Sequence, residues 1–317
     1  MPANPCPPGA NIVGLRTRDG VQLRAAYWRP DGIPRGTVAV LQGRAEFIEK
    51  YFEVIGELLS RGFVVAAFDW RGQGLSQRLL RNRAKGHVRH STDYRLDLDA
   101  FVRQLLTPDC PEPWFALAHS MGAAAALDYV GAGHSPFARI VGIAPMLGLY
   151  GFAGSILARQ TATMLTAAGM GRMFVPGGGP QTLAYLPFAR NILTGDRRRF
   201  DRAKQILDLA PALGLGDPTI AWIHSAYGLM ERLNADGFAE NIKTPVLMLA
   251  SGGERLVSTP AIEAFAQRLK NAACIVLPEA RHEILMERAE IRAKFWAAFD
   301  AFTPGEPFLR DAEAVAG

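Results

Sequence analysis

What constrains this chain most is an alternation: short β-branched or apolar runs that stop at Gly, Asp or Pro, separated by stretches long enough for a helix. Such runs suit strands buried on both faces, and strands alternating with helices predict a mostly parallel sheet. Residues 12–17 and 22–28, divided by the Asp19-Gly20 turn, read as an opening antiparallel hairpin. Residues 37–41, 63–68, 114–118, 139–144, 245–250 and 274–277 read as six buried strands, with a helix over residues 51–60. The expectation is an α/β chain with an eight-stranded sheet.

Between Ala144 and Pro245 the alternation stops, and the segment reads as helices and loops. The expected organisation is a first part of the core at residues 1–145, a helical cap or lid insertion at 146–240, and a second part of the core at 241–317. From residue 140 to 189 the only charged side chains are Arg159 and Arg172. The uncharged run 140–158 has the length of a membrane span, but Pro145 and four glycines interrupt it and its start is already a strand. A transmembrane helix is therefore not expected. An apolar cap that covers a greasy substrate or dips into a membrane surface is the expectation, and the plain alternative is that these residues pack against the sheet.

With 317 residues, 49% hydrophobic and 21% charged, the chain can bury a large core, and disorder is expected only at its ends. The net charge of +5 is spread out except at Arg197-Arg198-Arg199, so no nucleic-acid partner is expected. A weakly basic surface also suits anionic lipid headgroups, so peripheral membrane contact stays open. Cys6, Cys110 and Cys274 lie far apart with no CxxC spacing, which argues against a disulfide framework or zinc knuckle and fits a reducing cytoplasm. The amino-terminal MPANPCPPGA lacks the charged start and apolar core of a signal peptide.

Directly after the strand at 114–118 comes Ala118-His119-Ser120-Met121-Gly122, followed by the helix-forming Ala123-Ala124-Ala125-Ala126-Leu127. A strand that turns sharply into a helix brings the residues two before and two after the serine together, so both must be small. Ala118 and Gly122 meet that demand, and the turn lifts the Ser120 hydroxyl above the sheet as a nucleophile. A second His-Ser pair, His224-Ser225, lacks a preceding strand and reads as structural.

A serine hydroxyl needs a base within hydrogen-bond reach. His282 follows the last strand, in Pro278-Glu279-Ala280-Arg281-His282, and is the histidine in the right place to serve. His119 adjoins the serine and is expected to point elsewhere, while His87, His90 and His134 follow no strand end. The orienting acid should follow the preceding strand, where Ser251-Gly252-Gly253-Glu254 makes Glu254 the candidate. Its bland reading is a surface acid paired with Arg255. Acyl transfer also needs backbone donors for the developing oxyanion. One is expected from the Met121 amide, the other from the loop after residues 37–41, at the Arg44 amide beside Gly43.

With these residues in place the chain resembles the monoacylglycerol lipase and lysophospholipase branch of the α/β-hydrolases, the serine aminopeptidase S33-like branch. The resemblance rests on Gln42 to Tyr51, the Asp69-Trp70-Arg71-Gly72-Gln73-Gly74-Leu75-Ser76 loop, the turn around Ser120, the Gly252 to Val257 loop holding Glu254 and the His282-Glu283 pair. It implies an α/β-hydrolase fold with a cap and serine ester hydrolysis. Three positions depart from the family pattern: Gln42 and Gln73 stand where histidine is usual, and Glu254 where aspartate is usual.

The expected function is hydrolysis of a carboxylic ester through an acyl-serine intermediate, on a monoacyl lipid such as a lysophospholipid or monoacylglycerol. The same triad serves short-chain esters, thioesters and peptides, and a noncatalytic binding protein on this scaffold is the reading of a different class. Epoxide and haloalkane hydrolases place aspartate where Ser120 stands. No cofactor and no metal are expected, because the histidines and acids show no ligand spacing.

Overall fold

The computed structural model describes residues 4–303. Expected disorder at the chain ends concerns residues 1–3 and 304–317, outside the described ones. Eight strands form one sheet: β1 (Asn11–Arg16), β2 (Gln22–Trp28), β3 (Thr37–Leu41), β4 (Val64–Phe68), β5 (Trp114–His119), β6 (Arg139–Ile143), β7 (Val246–Ser251) and β8 (Ala272–Leu277). The expected strands match these within a residue or two at each end, but β8, expected to be buried, is the edge strand of the sheet with only Leu277 buried, because one of its sides has no neighbouring strand. Helices connect them: α1 (Phe52–Leu59), α2 (Asp93–Phe101) running through a π-helical turn into the short α3 (Thr107–Asp109), α4 (Met121–Gly131), α5 (Ile156–Ala167), α6 (Arg197–Leu209), α7 (Ile220–Asn234), α8 (Thr259–Arg268) and α9 (Ala289–Phe302).

The spatial order is β1-β2-β4-β3-β5-β6-β7-β8. β1 and β2 form the antiparallel hairpin and β2 runs antiparallel to β4, while β3 to β8 are mutually parallel. Every residue of β3, β4, β5 and β7 is buried, which is why these strands read as β-branched or apolar runs. From β3 the chain moves one way to β4 and then crosses back to β5 on the other side. The order of the sheet therefore reverses between β3 and β5, and loops leaving the carboxyl ends of strands diverge at such a point to leave a crevice.

α4 is buried from Met121 to Val130. Its alanines allow close approach to the sheet, and a β-carbon at Gly142 of β6 would already touch Ala123 at 3.8 Å. Between β6 and β7 the chain adds α5, α6 and α7 and contributes no strand to the sheet. Arginines fasten part of this segment to the core: Glu53 on α1 accepts from Arg199 and Arg202 of α6 and from Arg292 of α9. Burial would raise the Glu53 carboxyl, and these guanidinium groups outweigh it and bring it down to about 2. Of the basic cluster, Arg199 is thereby held by Glu53 in the interior, while Arg197 pairs with Asp201 one turn on at the surface.

α5 is different. Only Ala162 of its twelve residues is buried, while Ile156, Leu157 and Met164 are 67%, 61% and 70% exposed. At 100° per residue these three fall on one side of the helix, so the apolar stripe faces outward rather than packing on the sheet. Among the described residues no helix is long and apolar enough to cross a membrane.

Candidate active site

Ser120 joins β5 to α4 with φ 51° and ψ −114°, a conformation that non-glycine residues rarely adopt and that costs on the order of 1–3 kcal/mol. The surroundings hold it there. The Ser120 amide donates to the Ile143 carbonyl at 2.8 Å, and its carbonyl accepts from Met146 at 3.1 Å. The requirement for small neighbours is steric: a β-carbon at Gly122 would lie 2.4 Å from the carbonyl oxygens of both Leu41 and Gln42. Ala118 is fully buried and in register with Leu41 on one side and Gly142 on the other.

The three side chains singled out from the sequence meet at this turn. The Ser120 hydroxyl donates to His282 Nε2 at 3.0 Å, and His282 Nδ1–H donates to Glu254 Oε2 at 2.8 Å. His282 lies in the loop after β8 and Glu254 in the loop after β7. Glu254 is only 8% exposed and forms no ion pair with Arg255. Its other oxygen, Oε1, accepts from the amides of Arg255 (2.9 Å) and Leu256 (2.8 Å), so the loop grips one oxygen while the imidazole holds the other. Burial would raise this carboxyl; the hydrogen bond and charge of His282, aided by the two amides, outweigh it and hold it below its ordinary value.

The loop after β3 lies against the same turn. A β-carbon at Gly43 would come within 3.3 Å of Ser120 Cβ, so this glycine lets the backbone pass beside Ser120. The Gly43 amide is taken by Glu46 Oε2 at 2.5 Å and the Ala45 amide by Gln73 Oε1 at 2.8 Å. The Arg44 amide between them has no acceptor among the described residues. Met121, the first residue of α4, likewise carries one of the amides that a helix start leaves without an intrahelical acceptor. The Arg44 side chain reaches away, donating to the Gly216 carbonyl at 2.6 Å and lying over the Trp222 ring of α7. Burial pulls its guanidinium down to about 10.

One of the expected departures acquires a physical account. Gln73, where the resemblance leads one to expect histidine, braces the β3 loop with both ends of its amide, accepting from Ala45 and donating to the Gly43 carbonyl at 3.2 Å. In the same loop Trp70 Nε1 donates to the Gln42 carbonyl at 2.8 Å and Asp69 accepts from the Ile48 amide at 3.0 Å. The Gln42 side chain is 1% exposed, and its amide has no partner among the described residues.

Sequence reasoning missed a buried polar cluster beneath the three side chains. Glu46 Oε1 accepts from Lys50 Nζ at 2.8 Å, and the same ammonium donates to Glu283 at 2.6 Å. Glu46 Oε2 accepts from the Tyr51 hydroxyl at 2.8 Å and contacts His119 Nδ1 at 2.9 Å. Desolvation of Glu46 is outweighed by Lys50 and His119, which hold its carboxyl well below the usual range. Glu46, Lys50 and Glu283 all lie in segments that carried the family resemblance, and that was the one available signal. The second His-Ser pair lies within α7, where His224 meets Thr163 and the Ser225 hydroxyl has no partner among the described residues.

Comparison with known proteins follows the same lines. The family described as serine aminopeptidase, S33, matches residues 32–289. The chain is 33% identical over 286 residues to lysophospholipase L2 of Escherichia coli K12, covering 87% of this chain and 82% of that protein. It is 29% identical over 264 residues to the probable lysophospholipase L2 of Haemophilus influenzae, covering 83% and 82% of the two chains. A soluble variant of monoglyceride lipase from Saccharomyces cerevisiae, solved with a substrate analogue, shares the architecture with a TM-score of 0.72 over 94% of this chain and 96% of that one. At 19% identity that likeness speaks to the fold alone, which is the α/β-hydrolase fold. The family match leaves little of the described chain outside it, and the chain belongs to the serine aminopeptidase S33 family.

Proposed function

We propose that this protein is a serine hydrolase that cleaves the ester bond of a monoacyl lipid, a lysophospholipid or a monoacylglycerol, with Ser120 as nucleophile, His282 as general base and Glu254 as the orienting acid. The observation that carries the chemistry is the unbroken hydrogen-bonded line from Glu254 through His282 to a serine on a strained turn. Ser120 Oγ attacks the ester carbonyl carbon as its proton passes to His282 Nε2. The amides of Arg44 and Met121 receive the negative charge that develops on the carbonyl oxygen. Collapse of the tetrahedral intermediate breaks the bond to the alcohol, which leaves with the proton from His282. Water then gives a proton to His282, attacks the acyl-serine carbonyl and releases the fatty acid, and Ser120 recovers its proton.

The lipid substrate is supported by the relatives, named for lysophospholipase and monoglyceride lipase activity, and by the outward apolar stripe of α5. In this reading residues 146–240 form a cap over the crevice, between core parts 1–145 and 241–317, and α5 meets the lipid surface. Free Cys6, Cys110 and Cys274 suit a cytoplasmic location at that surface. Hydrolysis of p-nitrophenyl esters from acetate to palmitate, alongside lysophosphatidylcholine and a monoacylglycerol, tests the substrate. Rates are expected to rise with chain length, because each methylene buried contributes about 0.8 kcal/mol. Activity confined to the shortest esters would support a short-chain esterase instead.

The α5 contact has its own test. Ile156→Asp combined with Leu157→Asp is expected to lower turnover of lysophospholipid presented in vesicles by about 10–100-fold relative to a soluble short ester, since burying either side chain contributes about 1.5–3 kcal/mol. An unchanged ratio of the two activities would remove α5 from the lipid contact.

A further inference from the structure

His119 precedes the nucleophile but faces away from its hydroxyl, and it is 5% exposed. Its Nε2 lies 3.2 Å from the main-chain carbonyl oxygen of His282, and its Nδ1 lies 2.9 Å from Glu46 Oε2. A carbonyl oxygen only accepts, so a hydrogen bond there requires a proton on Nε2. Glu46 is a carboxylate that already receives the Gly43 amide and the Tyr51 hydroxyl on the same oxygen, so that contact requires a proton on Nδ1. A neutral imidazole carries one proton, and only the imidazolium satisfies both contacts.

The surroundings supply the compensating charge. Glu46, Lys50 and Tyr51 face the ring from the segment after β3, and Glu283 and His282 from the loop after β8. With His119 charged, the cluster holds two carboxylates against two cations, whereas a neutral His119 leaves one buried negative charge in excess. Burial disfavours the cation, the charges of Glu46 and Glu283 favour it and Lys50 opposes it, with the balance raising the affinity of His119 for its proton. Lys50 is pushed the same way by both carboxylates and stays charged.

We propose that His119 is a positioning residue held as an imidazolium, whose two N–H groups tie the oxyanion loop to the base loop. One arm runs through Glu46 to the Gly43 amide, next to the Arg44 donor; the other holds the backbone of His282 itself. The inference rests on the serine-hydrolase reading of Ser120, His282 and Arg44. As pH rises and His119 loses a proton, one of its two contacts becomes a lone pair facing an oxygen. The base or the oxyanion donor then shifts, and the fall in rate appears in kcat rather than KM, because the bound ester is still held while the reacting groups are misplaced.

The experiment uses the native chain with its histidine ring nitrogens labelled with ¹⁵N, together with His119→Gln. At pH 7.5 the spectrum is expected to show one histidine protonated on both nitrogens, absent from the variant. With p-nitrophenyl butyrate, His119→Gln is expected to lower kcat by about 10–100-fold with KM changed about twofold or less, and to lack the alkaline fall in kcat expected of the native chain. A neutral His119 at pH 7.5, or an alkaline fall retained in the variant, overturns the proposal. If the variant does not fold, the spectrum of the native chain decides, with the His119 signal assigned as the one that shifts in a Glu46→Gln variant. A native chain that hydrolyses no ester and does not react with a fluorophosphonate would instead overturn the serine-hydrolase reading, and the spectrum would still report the charge on His119.

Discussion

Replacing Ser120 with alanine is expected to lower kcat on a preferred ester by roughly 10⁶-fold, the scale seen when the nucleophile of a serine triad is removed. The fold should survive. Alanine keeps the β-carbon, the strained backbone and the three main-chain hydrogen bonds that pin residue 120, to Ile143, Ala124 and Met146. What is lost is one hydrogen bond to His282, worth about 0.5–1.5 kcal/mol. Titration of released fatty acid together with thermal denaturation separates the two effects. A variant that keeps its fold and more than a hundredth of the native rate would show that Ser120 is not the nucleophile.

Glu254→Gln is the second large effect, with kcat expected to fall by about 10⁴-fold. The reason lies in how the two oxygens are used. Oε1 accepts from backbone amides, so in the variant the glutamine carbonyl takes that place and its NH₂ turns toward His282 Nδ1. An NH₂ group donates. His282 would then have to accept at Nδ1 and carry its proton on Nε2, the tautomer that cannot take the Ser120 proton. The carboxylate also contributes to stability: because its folded value lies below that of the free group, the contribution is complete above the unfolded value of 4.5 and is lost as pH falls through the folded one. Steady-state kinetics at neutral pH test the first point, and a loss of less than tenfold would contradict the tautomer argument.

The strands were legible because buried parallel strands carry their signature in the chain itself. Residues 37–41 and 246–250 are β-branched or apolar throughout since both of their faces are covered. Ser120 was legible for a local reason too, as a turn that tight between strand and helix admits only small residues around the serine. His282 and Glu254 were found through chain order, which the topology converts into proximity. The cluster of Glu46, Lys50, His119 and Glu283 was not legible in that way. Lys50 and Glu283 meet across 233 positions of sequence, and a Glu-Lys pair four residues apart reads as a solvated helix face until the fold buries it. The apolar stretch that contains α5 gave its composition but not its direction: Ile156, Leu157 and Met164 suit a core as well as a lipid surface, and only the fold turns them outward. Gln73 likewise stood in the sequence only as a departure from the expected histidine, and its part in bracing the Gly43–Ala45 backbone with both ends of its amide shows only in the fold.

Reaction with a fluorophosphonate, followed by mass spectrometry of the digested protein, tests the central claim most directly. The expected result is a single phosphonylated peptide carrying Ser120, with labelling abolished in Ser120→Ala and slowed in Glu254→Gln. A protein that stays unlabelled while folded, or one labelled on another serine such as Ser225, would contradict the assignment of Ser120 as the nucleophile.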